Sequence, residues 1–138
     1  MRILVGVLLL VHGLITTAQA SGAFKPKVDA TNPDWMNWWP VPMGRSWLIG
    51  RLGREKSSLG NLAGMMWLAA GLCLVVAALA LFASGAWWPI LAGVGAAISL
   101  VLFVPYAHPL YAVGISANLA ILISLLLVGW PVVALPSS

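Results

Sequence analysis

The stretch that decides the architecture is Leu59-Gly60-Asn61-Leu62-Ala63-Gly64-Met65-Met66-Trp67-Leu68-Ala69-Ala70-Gly71-Leu72-Cys73-Leu74-Val75-Val76-Ala77-Ala78-Leu79-Ala80-Leu81-Phe82. It carries no charge and exceeds the ~20 apolar residues a helix needs to cross a bilayer core about 30 Å thick. Ser57 and Ser58 before it are good N-caps, and Ser84-Gly85 after it breaks the helix. Working outward, a third span is expected from about Trp87 to Val104, with Pro89 tolerated in its first turn and Pro105 ending it. A fourth runs from Pro109 or Leu110 to about Val128, closed by Gly129-Trp130-Pro131. The first runs from Ile3 to about Ala20. The expected fold is all-α, a membrane four-helix bundle over residues 1–138 whose last three helices form an up-down-up series.

Composition agrees. Of the 138 residues, 62% are hydrophobic and 7% charged, and mean hydropathy is +1.00. Soluble domains carry roughly a quarter charged residues, so a water-soluble globule is excluded. Every Lys, Arg, Asp and Glu lies between Arg2 and Lys56. The net charge of +4 flanks membrane segments, so it reads as topology and headgroup contact, and nucleic acid is not an expected partner. Cys73 is the one cysteine, so no internal disulfide forms, and within an apolar run it reads as a small buried hydrophobe.

The first segment has two readings. Arg2, the apolar run Ile3–Ile15 and Ala18-Gln19-Ala20 satisfy the pattern of a cleavable secretory signal, whereas a retained helix, the favoured reading, makes a fourth span. Residues 21–58 form the polar connection. Gly22 to Pro33 has turn chemistry and is expected to be loop. Trp35, Trp38, Trp39 and Trp47 then crowd between Asp34 and Gly50. Tryptophan favours the headgroup zone, so Trp35–Gly50 is expected to lie along the membrane surface, with a short helix in Arg45–Arg51. Trp87, Trp88 and Trp130 form a belt on the other face, giving seven tryptophans as candidate interface or lipid contacts.

Orientation signals conflict. Arg2 holds the N-terminus in the cytoplasm, while the Arg45, Arg51, Arg54, Lys56 cluster argues for a cytoplasmic loop. The reading adopted places both termini in the cytoplasm, at the bacterial inner membrane.

Polar groups inside lipid need partners. His12 lies about nine residues into the first helix and Asn118 about eight into the fourth, which enters from the opposite face, so both reach mid-bilayer at about 1.5 Å per residue. A hydrogen bond between them is expected. The pair reads first as packing glue and second as a candidate cofactor- or ligand-binding site. His108, in the turn Tyr106-Ala107-His108-Pro109, reads as an interfacial anchor. Gly60/Gly64, Gly93/Ala97 and Gly114/Asn118 have the spacing of close helix packing within the bundle. No catalytic constellation, metal cluster or cofactor motif is present: Asp29, Asp34 and Glu55 all lie in the loop.

Leu8-Leu9-Leu10-Val11-His12-Gly13-Leu14-Ile15, Gly50-Arg51-Leu52, Met66-Trp67-Leu68-Ala69-Ala70, Trp87-Trp88 and Asn118-Leu119-Ala120-Ile121-Leu122 together resemble an uncharacterised family of small four-helix bacterial membrane proteins, distantly similar to the DoxX-like group. The resemblance implies four retained helices sharing the histidine and asparagine positions. Members often carry a second histidine soon after the His-Gly pair, where Thr16 and Thr17 stand here. The Trp35–Trp47 segment is unusual for the family, which supplies no activity to carry over.

Two functions are therefore expected in order. The first is a non-enzymatic accessory or scaffold subunit packing against other membrane helices or a second copy. The alternative is a binding protein or enzyme for a lipophilic ligand (quinone, isoprenoid or lipid) using His12, Asn118 and the loop tryptophans. A pore or carrier comes last, because no polar stripe runs the length of any helix.

Overall fold

The computed structural model describes residues 2–25, 31–53 and 58–127. Trp130, Asp29, Glu55, Arg54, Lys56 and the expected end of the fourth span at Val128 lie outside the described residues. Helices form wherever the apolar runs are uninterrupted: α1 (Arg2–Phe24), α2 (Trp47–Arg51), α3 (Ser58–Phe82), α4 (Trp88–Phe103) and α5 (Ala112–Leu127), with 3₁₀ turns at Asp34–Met36 and Pro109–Tyr111. No strand occurs among the described residues. Arg2–Phe24, Ser58–Phe82 and Pro109–Leu127 are long and apolar enough to cross a membrane. At 16 residues, α4 is about 24 Å long, a shorter apolar helix than the full span expected.

Packing follows α1 on α3, α3 on α4 and, most thinly, α4 on α5. Small residues set the tight contacts. A Cβ on Gly71 would lie 2.5 Å from the backbone nitrogen of Thr17, and one on Gly13 would lie 2.8 Å from that of Val75, so α1 and α3 touch backbone to backbone. Gly95 does the same for α4, 2.8 Å from the Ala70 carbonyl oxygen. Gly60 and Gly64 face inward, Gly64 against the Phe24 ring. Ala97 is exposed, so the Gly93/Ala97 spacing does not form a close contact. Arg2 ties the two ends of this pairing together: its Nε donates to the Leu81 carbonyl at 2.8 Å and its Nη2 to that of Phe82. A cation on the last carbonyls of a helix satisfies orphan acceptors and complements the dipole.

Two buried clusters result. Leu9, Leu74, Ala77, Ala78, Leu81, Trp88 and Ala92 fill the end near Arg2. Ala20, Ile49, Ala63, Trp67, Phe103, Tyr106 and Tyr111 fill the opposite end, where Trp67 meets Phe103 edge-on at 5.1 Å. Trp88 therefore leaves the expected belt. It starts the α4 stripe that continues through Ala92, Gly95, Ala96 and Ser99, and helical phase turns that stripe toward the bundle.

Candidate functional site

The polar pair comes first. α1 buries Gly6, Leu9, Gly13, Thr16 and Ala20, and His12 lies half-buried beside that stripe. α5 buries Asn118 alone among its residues, at 0% exposure. His12 Nε2 lies 2.9 Å from Asn118 Oδ1, the bond that depth along the helices predicts. Thr16 and Thr17 return their hydroxyls to the His12 and Gly13 carbonyls at 2.8 and 2.9 Å. Those hydroxyls are satisfied inside their own helix.

The pair is not fully satisfied. Asn118 Nδ2 is buried without a partner, and so is Ser99 Oγ on α4. Phe103 packs on Gly114 and Leu125 on Gly93, and interpolating between these contacts sets Ser99 level with Asn118. His12 also lines an apolar cavity of about 290 Å³ between α1, α5 and the start of α4, bordered by Leu9, Trp88, Ala117, Ala120 and Ser124. Ala120 and Ser124, one turn apart, present a small-residue ledge on the α5 side of this cleft.

The tryptophan-bearing loop is the second feature, and it does more than lie on a surface. Residues 31–53 fold as a roof onto the α4–α5 turn. Pro105 stops α4 and leaves the carbonyls of Val104 and Pro105 without helical donors. The roof supplies them: Ser46 Oγ and the Trp47 backbone N–H donate to Pro105 at 2.9 and 3.1 Å, and Trp47 Nε1 donates to Val104 at 2.7 Å. Ser46 also N-caps α2, accepting from the Ile49 N–H at 3.0 Å, so that helix starts two residues later than expected. His108, 5% exposed, locks the roof from below. Its Nδ1 accepts the Leu110 N–H at 3.2 Å, which puts the ring proton on Nε2, donated to Asn32 Oδ1 at 3.3 Å. Asn32 Nδ2 then donates to the Trp39 carbonyl at 2.7 Å. Burial pushes the His108 pKa down. The turn histidine expected as an interfacial anchor is thus a buried latch, and Tyr111 adds a bond from its hydroxyl to Gln19 Oε1 at 2.9 Å.

Of the seven interface tryptophans, Trp35, Trp38 and Trp87 are exposed. Trp39 stacks edge-on against His108, Trp47 is spent on Val104, and Trp88 is buried. Sequence reasoning missed Met36 and Ser46, both buried under or within the roof. The serine directly before Trp47 was a readable N-cap signal. Among the described residues no group of His, Cys, Asp and Glu could hold a metal. No family model, curated protein or solved structure matches the chain, so the likeness to DoxX-like proteins rests on the short motifs alone.

Proposed function

We propose that this chain is a multi-pass protein of a bacterial cytoplasmic membrane that serves as an accessory or scaffold subunit, seating a partner's transmembrane helix (another subunit or a second copy) on its α1–α5 face. The observation that carries the reading is α5 itself: an apolar helix that buries one side chain and offers the Ala120–Ser124 ledge beside a cleft. In lipid, helices associate through close van der Waals packing at such small residues. Both termini are assigned to the cytoplasmic face, with the roof outside.

The test is native electrophoresis of the protein extracted in mild detergent. The wild type is expected in an assembly larger than one chain, and Ala120→Trp, which fills the ledge, releases it as a monomer. A wild type that runs as a lone monomer removes the proposal.

A second reading has its own support. The unpartnered Asn118 Nδ2 donor beside a histidine-lined apolar cleft suits a lipophilic molecule bearing a carbonyl, such as a quinone. Trp88 lines that cleft, so added short-chain quinone is expected to quench tryptophan fluorescence in the wild type and not in Trp88→Phe. No quenching at saturating quinone discards this alternative.

A further inference from the structure

An amide oxygen carries no hydrogen, so the contact between Asn118 Oδ1 and His12 Nε2 at 2.9 Å fixes the proton of the neutral imidazole on Nε2. Nδ1 is left as a lone pair. Among the described residues it accepts no hydrogen bond, yet it is not closed off from its surroundings as Asn118 Nδ2 and Ser99 Oγ are. The open space that His12 borders is the apolar cleft between α1 and α5. The ring nitrogen offered to that cleft is therefore an acceptor, and it asks for a donor. Among the described residues no charged side chain lines the cleft. His12 stands near the middle of α1, where a charged headgroup would lack a counter-charge, so the occupant is neutral. At about 290 Å³ the space lies at the lower end of small-molecule sites.

We infer that the cleft takes a small neutral lipophile headed by a hydroxyl. The hydroxyl donates to His12 Nδ1, and the hydrocarbon body lies along Leu9, Ala117 and Ile121. Asn118 is a positioning residue: by holding the ring proton on Nε2, it keeps Nδ1 open to a donor and disfavours a head that can only accept. The inference rests on the second reading above and narrows its ligand, because whatever carbonyl the molecule turns to Asn118, it must bring an O–H to His12.

Nitrogen NMR of the full chain, carrying isotope-labelled histidine and held in mild detergent at neutral to alkaline pH, tests this. Only two imidazoles are present, and His108 serves as the internal reference, since its Nδ1 already accepts the Leu110 N–H. The probes are decanol and its methyl ether, matched in body and differing in the donor. His12 is expected to carry its proton on Nε2. Decanol then shifts the His12 Nδ1 resonance toward that of a hydrogen-bonded acceptor and leaves His108 in place, whereas the ether shifts neither. Leu8→Trp, at a 60% exposed position on the cleft wall, fills the space and is expected to abolish the decanol shift with the proton still on Nε2. Asn118→Leu is expected to spread the proton over both nitrogens. A wild-type His12 proton on Nδ1, equal shifts from alcohol and ether, or a decanol shift that survives Leu8→Trp would each overturn the inference. A wild type quenched by short-chain quinone but blind to decanol loses the hydroxyl assignment alone; one that answers to neither loses the cleft reading as well.

Discussion

An imidazole and an amide that meet inside an apolar bundle matter chiefly through what each costs when alone. His12 and Asn118 share one bond, and Asn118 keeps a second, unpaired donor. Interhelical hydrogen bonds in membrane proteins average about 0.6 kcal/mol and reach about 1.7 kcal/mol. A double-mutant cycle with His12→Leu and Asn118→Leu, read by thermal unfolding in detergent, is expected to give a favourable coupling energy in that range. A coupling of zero would mean that the pair does not hold α1 to α5. Asn118→Leu alone is expected to cost less than the coupling, because it also removes the orphan Nδ2. This pair was legible from sequence because depth along a helix is simple counting. Ser99 was not: a serine inside an apolar run gives no sign of being level with an amide on the neighbouring helix.

Elements were legible to the extent that hydropathy alone defines them. α3 begins one residue before the expected Leu59 and ends where expected, since Ser58 and Ser84 punctuate it. α1 runs four residues past Ala20, through the Gly22 read as loop. Gly22 stays helical because the Gly44 backbone lies against it, and Phe24 is held on Gly64. Those are tertiary reasons, invisible to a local reading. The glycines that matter were also hidden among the chain's 14. Gly71→Ala drives a Cβ into the Thr17 backbone, and overpacking of this kind typically costs about 1–3 kcal/mol. Gly93→Ala meets only the Leu125 Cδ1 at 3.5 Å, an ordinary contact, and is expected to leave the melting temperature unchanged or slightly raised. Equal melting of the two variants would show that the α1–α3 contact is looser than described.

Across the whole molecule, the bundle and the roof are joined largely by acceptors that α4 leaves behind and by the His108 latch. A sequence shows a proline-ended helix but not which distant donors answer its carbonyls, so a docked roof was read as a surface strip. The bond that Nδ1 accepts from Leu110 requires the neutral ring, whereas the Nε2 donation to Asn32 survives protonation. Burial holds its folded pKa below the ordinary histidine value of about 6.5, so the released ring binds protons more readily than the docked one. The latch therefore contributes fully above about pH 6.5 and weakens as pH falls through the depressed folded value. Hydrogen exchange at the Trp47 and Ile49 amides is expected to accelerate on acidification in the wild type and to lose that dependence in His108→Gln. Exchange indifferent to pH, after correction for intrinsic rates, would refute the latch. The guanidinium of Arg2 has a consequence for biogenesis. Its acceptors lie some eighty positions downstream, at Leu81 and Phe82, so α1 lacks this anchor until residue 82 has left the ribosome. That nascent segment must be sheltered while it waits, and a stall engineered upstream of Leu81 would leave it without its native anchor.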